Sequence, residues 1–324
     1  MATVPGLTDD RGGQTHRPGV VVVRPGDVVD PDDDRISLLV LGSETDAEGD
    51  LDAVDLVLAP QGSVAAARRE VVGVADVDAA VEMVTLAVAE WPLAAGALAR
   101  LLPHVVEADV DHGLALESRT FSALLAGPEF AAWLAARGAP RPPGAPHRVQ
   151  LERIGDDLTI TLDRPARRNA YDAVMRDALL EALEVARLDP DVHVTLRGAG
   201  PDFCAGGDLN EFGTAQDLDS AHETRLAASP GAVIHAIRDR VTVQVHGNAV
   251  GSGIEIAAFA GHVRAGADSR FRLPEVAMGL IPGAGGTVSL TRRVGRHRLL
   301  WWALSRAVLD ATTAHRWGLV DELF

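Results

Sequence analysis

The chain reads as an α/β protein, and three observations carry that expectation. In its second half, strand-like and helix-like runs alternate: Leu158-Thr159-Ile160-Thr161-Leu162 has the two-residue period of a half-buried strand, and residues 171–188 follow as a helix with apolar positions at Val174, Leu179, Leu183 and Ala186. Two further apolar runs, 192–197 and 241–245, read as strands that each lead into a glycine-rich turn. Finally, 47% of the 324 residues are hydrophobic, enough to fill a substantial core, and no run is long and apolar enough to cross a bilayer.

From the N-terminus, the first eighteen residues are rich in Gly, Asp and Thr and are expected to be disordered. They lack the basic-then-apolar layout of an export signal, so a cytoplasmic location is expected. Residues 19–23, 36–41 and 54–58 read as short strands separated by the acidic, turn-rich stretches 27–34 and 44–50, either a small added sheet or an edge extension. Residues 138–146 form a Pro/Gly-rich linker. The expected organisation is an acidic extension over 1–60, a helical segment over 61–137, a linker over 138–148 and an α/β core over 149–324.

The formal charge of −16 argues against nucleic acid as a partner, because such binding needs a concentrated positive face. All 30 fixed positive charges are arginines; there is no lysine. The single cysteine, Cys204, excludes an internal disulfide, and its place in the turn Phe203-Cys204-Ala205-Gly206 reads as a small packed residue in preference to a reactive thiol. No internal repeat, metal-ligand cluster or dinucleotide fingerprint is present, so neither a metal nor a separate cofactor is expected.

Chemistry concentrates at two glutamates twenty positions apart, Glu255 in Val250-Gly251-Ser252-Gly253-Ile254-Glu255-Ile256 and Glu275 in Phe271-Arg272-Leu273-Pro274-Glu275. Either alone is as readily an exposed helix residue. In apolar surroundings a carboxylate loses hydration and its pKa rises, and two such groups facing one substrate can serve as general acid and general base. Gly206-Gly207 and Gly251-Ser252-Gly253 follow strands and leave backbone N–H groups unshielded. Two such donors converging on one carbonyl oxygen make an oxyanion hole.

The order strand, Phe-Cys-Ala-Gly-Gly-Asp-Leu, strand, His-Gly-Asn-Ala-Val-Gly-Ser-Gly-Ile-Glu, then Leu-Pro-Glu-Val-Ala-Met-Gly-Leu-Ile-Pro-Gly-Ala-Gly-Gly-Thr resembles the crotonase (enoyl-CoA hydratase/isomerase) superfamily over residues 149–324. The resemblance implies a spiral of ββα units and chemistry on an acyl-CoA thioester, most directly hydration of a trans-2-enoyl-CoA. The backbone N–H groups of Gly207 and Ser252 would be the oxyanion donors, Glu255 would activate water, and Glu275 would protonate the α-carbon. CoA would lie against Arg164, Arg167, Arg168, Ala170, Ala205 and Asp208, with the arginines the candidates for its phosphates. CoA would enter as part of the substrate. A homo-oligomer, a trimer or a dimer of trimers, is also implied, with no membrane partner.

Isomerisation or a biosynthetic dehydration on the same enolate, and a non-catalytic acyl-CoA-binding subunit, stay open as alternatives. Ser252 stands where the family usually has glycine, which also opens a hydrolase reading with Ser252 as nucleophile and His246 as base. The resemblance implies further helices after the core, beyond the position of Phe324. Residues 77–102, with a Pro break at Trp91-Pro92, and residues 113–137 resemble those helices. A circularly permuted crotonase is therefore expected; the alternative is an unrelated helical domain in front of a truncated core.

Overall fold

The structure is a computed structural model and describes residues 19–30, 33–43, 50–139 and 147–324. The first eighteen residues and most of the Pro/Gly linker, for which disorder and a domain connection were expected, lie outside the described residues. Strands β1 (Val20–Val23), β2 (Ile36–Val40), β3 (Leu56–Pro60) and β4 (Val72–Val74) form a parallel four-stranded sheet in sequence order. Leu38 pairs with Leu56, and Leu58 with Val72. The sheet thus runs past the boundary expected at residue 60. Val72-Gly73-Val74 is too short to show a period, and its place is fixed by pairing with β3.

Helices α1 (Val77–Glu90), α2 (Pro92–Glu107), α3 (Val110–Leu125) and α4 (Pro128–Ala136) follow. Their starts are set by local chemistry: Asp76 and Asp109 accept the N–H groups of Ala79 and His112, and Pro92 opens α2, where its missing N–H costs nothing. Glu129 of α4 accepts the N–H groups of Leu93 and Ala94 at 2.7 and 3.0 Å, tying α4 to the start of α2.

The second half starts with β5 (Val149–Ile154), β6 (Asp157–Leu162), α5 (Ala173–Leu188) and β7 (His193–Gly198). Next come α6 (Leu218–Ala227), α7 (Pro230–Ala236), β8 (Val241–Val245), β9 (Asn248–Val250) and α8 (Ser252–Ala257). The chain closes with β10 (His262–Ala265), β11 (Arg270–Arg272), α9 (Gly286–Val294), α10 (Arg296–Ser305), β12 (Leu309–Asp310), α11 (Ala311–Arg316) and β13 (Glu322–Leu323). A six-stranded sheet has the order β13-β10-β8-β7-β6-β5, parallel except for the β5–β6 hairpin, and β12-β11-β9 form a smaller sheet behind the turn after β9.

The alternation of Val241, Val243 and Val245 buries one face of β8. In α5 the buried stripe is Met175, Leu179, Ala182, Leu183 and Ala186, whereas Val174, expected on that face, is half exposed because it sits one position before the stripe begins.

The two halves share one core. Leu98, Leu102 and Val105 of α2 are buried in the same apolar cluster as Val288 and Leu290 of α9 and Leu299 of α10. Helix α3 packs on α6 and α9. The far face of the four-stranded sheet has its own cluster, built around Val57, Ala59 and Val71. A shared core of this kind unfolds as a unit. Leu98→Ala, at a fully buried position, is expected to cost about 2–5 kcal/mol and to lower a single calorimetric transition. Two separate transitions, only one of them moved, would show that α1–α4 are an independent body.

Candidate active site

The site is built at two glycine corners, one in the loop between β7 and α6 and the other between β9 and α8. At the first, Tyr171 bridges to the glycine turn: its N–H donates to the Gly206 carbonyl and its carbonyl accepts from Asp208 N–H, both at 2.8 Å. That pairing takes residues 206 and 208 and leaves the N–H of Gly207 with no acceptor among the described residues. Gly206 has φ +91°, and a Cβ there would press on the Val250 carbonyl at 3.0 Å, so the turn requires glycine.

At the second corner, Gly251 takes φ +47° and ψ −123°, a conformation open to glycine alone. A Cβ on it would collide with Glu275 Oε1 and lie 3.7 Å from Glu255 Oε1, so both carboxylates flank this residue. Ser252 is not among the residues at positive φ. The strain falls on Gly251, and Ser252 opens α8 with ordinary angles. Its N–H, like that of Gly207, has no acceptor among the described residues, while Ile254 and Glu255 N–H both return to the Gly251 carbonyl.

Gly207, Ser252, Glu255 and Glu275 line one cavity of about 250 Å³. Its remaining wall is largely apolar, with Leu114, Phe121, Phe212, Leu226 and Ile256 among the lining residues. Glu255 Oε2 accepts the N–H groups of Ala284 and Gly286 at 2.7 and 3.0 Å. Burial, then the neighbouring Glu275 and Glu117, raise its pKa well above the ordinary value, against the pull of those two hydrogen bonds. Glu275 is pushed up to about 8 by burial, and its Oε2 is buried with no hydrogen-bond partner among the described residues.

Three further carboxylates line the cavity, Asp172, Glu211 and Glu117, and none was anticipated as a site residue. Glu117 of α3 is 2% exposed and accepts from Gly285 N–H at 2.6 Å and from the N–H and hydroxyl of Thr287 at 2.8 and 2.6 Å. Burial raises it to about 7, and these three bonds oppose the rise. Four successive N–H groups, 284 to 287, thus alternate between Glu255 and Glu117 at the start of α9, where the helix dipole favours negative charge. The only hint in the sequence was a lone glutamate amid the apolar residues of α3.

Of the six residues expected at CoA, five line a second, neighbouring groove: Arg167, Arg168, Ala170, Ala205 and Asp208. Gly207 lines both spaces. Arg164 requires correction. Its side chain is buried, with Nη1 committed to Asp208 at 2.6 Å, Asp172 at 3.2 Å and the Ala170 carbonyl at 3.0 Å, so it braces the groove from behind and does not line it. Asn169 completes that brace: its Nδ2 donates to the carbonyls of Ala199, Asp202 and Phe203, and its Oδ1 accepts from Arg164 N–H.

The hydrolase pair is separated. Ser252 Oγ is buried with no partner among the described residues, and His246 Nε2 faces the Gly200 carbonyl at 2.9 Å outside the cavity. Cys204 is buried and its thiol is pushed up to about 12, as suits a packed residue.

A family model described as enoyl-CoA hydratase/isomerase matches residues 158–324, more than half of the chain. The 2,3-dehydroadipyl-CoA hydratase of Escherichia coli (strain K12) is 36% identical over 168 residues, covering 52% of this chain and 65% of that protein. The 1,2-epoxyphenylacetyl-CoA isomerase of the same organism is 36% identical over 50% of this chain and 64% of its own length. The match therefore spans just under two thirds of these relatives. Among solved structures, an enoyl-CoA hydratase from Thermoplasma volcanium GSS1 is similar with a TM-score of 0.50 at 33% identity, over 55% of this chain and 71% of that one.

The raised pKa of Glu275 carries a sign for stability. The folded protein prefers its neutral form, so stability is full below the ordinary glutamate value of 4.5 and declines as pH rises toward about 8. Glu275→Gln keeps the neutral shape. The melting temperature of the variant minus that of the wild type is expected to be higher at pH 9 than at pH 5 by about 2 °C or more, measured calorimetrically. A difference that does not change with pH would show that Glu275 titrates as an ordinary carboxylate.

Proposed function

This chain belongs to the enoyl-CoA hydratase/isomerase family, and we propose that it is an acyl-CoA enzyme that adds water to a trans-2-enoyl-CoA to give the 3-hydroxyacyl-CoA. The observation that carries this reading is the sharing of one cavity wall by two unengaged N–H groups and two glutamates of raised pKa. Because Gly207 borders both the cavity and the arginine-flanked groove, a thioester carbonyl placed there has its acyl chain on one side and CoA on the other.

In this reading the N–H groups of Gly207 and Ser252 donate to the thioester oxygen and stabilise the enolate, a pair in which each donor is worth about 3 kcal/mol of barrier. Glu255 accepts a proton from water as its oxygen bonds to the β-carbon, and the π electrons of the double bond move into the enolate. Glu275, protonated, delivers its proton to the α-carbon, and the carbonyl re-forms. Glu255 ends protonated and Glu275 ionised, and exchange with solvent resets both. The backbone amides of Ala284 and Gly286 hold the carboxylate that activates the water. CoA phosphates are assigned to Arg167 and Arg168.

Helices α1–α4 take, in this proposal, the place of the helices that follow the core in other members, so the chain is a circular permutation. Support comes from α3, whose Leu114, Glu117, Ser118 and Phe121 close the cavity. A second reading, migration of a double bond from a 3-enoyl-CoA, uses the same enolate with a glutamate moving the proton; the isomerase relative favours keeping it.

Following the loss of conjugated thioester absorbance with crotonyl-CoA and longer enoyl-CoAs tests the reading. Hydration is expected with the wild type and a drop of about 10²- to 10⁴-fold with Glu255→Gln or Glu275→Gln. Double-bond migration without hydration supports the isomerase, and binding without turnover a non-catalytic subunit. Glu117 acts as a positioning residue. Because its charge raises the pKa of Glu255, Glu117→Gln is expected to move the acidic limb of the kcat profile to lower pH. It should also lower kcat by about 10- to 100-fold through the disturbed turn. An unmoved limb would reduce Glu117 to packing.

A further inference from the structure

The acyl end of the cavity holds a cation that no carboxylate among the described residues pairs with directly, although the charge of Glu117 is felt there. Arg225 of α6 lines the same cavity as Glu255 and Glu275. Its Nε donates to Ser118 Oγ at 2.9 Å, and its Nη2 to the Ser118 carbonyl and to Ser122 Oγ. All three acceptors are neutral. Nη1 has no hydrogen-bond partner among the described residues, and no carboxylate among them lies within ion-pair distance of this side chain. The other arginine of the cavity, Arg176, is already paired with Asp177.

The setting makes such a group costly. The guanidinium carbon lies 5.2 Å from the centre of the Phe121 ring, and Leu226, the next residue in the chain, lines the wall beside it. A site meant only for a hydrocarbon chain gains nothing from a part-buried guanidinium, whose desolvation opposes folding. The serine contacts, in contrast, engage Nε and Nη2 and fix the plane of the fork, leaving Nη1 as its open donor. A charged donor held in a fixed direction is what a carboxylate oxygen meets in a charge-assisted hydrogen bond.

We propose that Arg225 is a specificity-determining residue and that the acyl chain accepted here ends in a carboxylate, so that the substrate is the monothioester of a dicarboxylic acid. The inference rests on the reading of the cavity as an acyl-CoA site. Within it the carboxylate supplies the direct ion pair that Arg225 lacks while the thioester occupies the Gly207 and Ser252 amides.

Calorimetric titration of the full chain with two saturated thioesters of equal length, hexanoyl-CoA and its ω-carboxy counterpart, tests the inference without relying on turnover. The wild type is expected to bind the ω-carboxy thioester roughly tenfold or more tightly. In Arg225→Met the ratio should fall toward one, and Arg225→Lys, which keeps the charge without the fork, should restore part of it. Equal binding of the two by the wild type, or a preference that survives Arg225→Met, overturns the role of Arg225 and leaves the acyl-CoA reading standing. Failure of both thioesters to bind overturns the acyl-CoA reading, and the inference with it.

Discussion

The site depends on how backbone N–H donors are allotted. In an apolar cavity every donor is either spent on the protein or offered to a ligand, because an unpaired one is costly. Here four consecutive donors, those of residues 284–287, are spent on two buried carboxylates. Two others, those of Gly207 and Ser252, are left over by the Tyr171 bridge and by the sharp turn at Gly251. The spent donors fix where Glu255 stands, and the spare ones define where a carbonyl oxygen would be held. Glycine at 206, 251, 285 and 286 follows from the same allotment, since a side chain would press on Val250, Glu275, Phe259 or Glu255 respectively.

This allotment joins the two halves of the molecule. Glu117 reaches Gly285 and Thr287 across 168 and 170 positions of sequence, from a helix that precedes the core in the chain. The turn that orients Glu255 is thus held from both sides, one by its own half and one by α3. Burial alone would make three neighbouring carboxylates a liability. The N-terminus of α9 and the N–H groups there offset part of the cost, and the remainder shows as raised pKa values.

Much of this was readable from contiguous residues. The strands at 158–162 and 241–245 have clear alternation, and the helix ending at Leu188 has a clean stripe, because one face of each is buried and the other is not. Glu255, Glu275 and both glycine corners announced themselves because their chemistry sits in unbroken motifs. What escaped depends on partners distant in sequence. Glu117 is one acidic residue in an amphipathic helix until Gly285 and Thr287 are placed beside it. Arg164 resembles a phosphate ligand until Asp172 and Asp208 close on it. Strand β4 is three residues long and exists by virtue of its pairing with β3.

The infrared stretch of a ¹³C-labelled thioester carbonyl in a bound, unreactive enoyl-CoA analogue reports directly on the two spare donors. If the amides of Gly207 and Ser252 both point at that oxygen, the band moves to lower frequency on binding, beyond its position in water, where hydrogen bonds are already plentiful. A band at or above its position in water would mean that the two amides do not grip the carbonyl, and that the cavity holds its ligand in some other way.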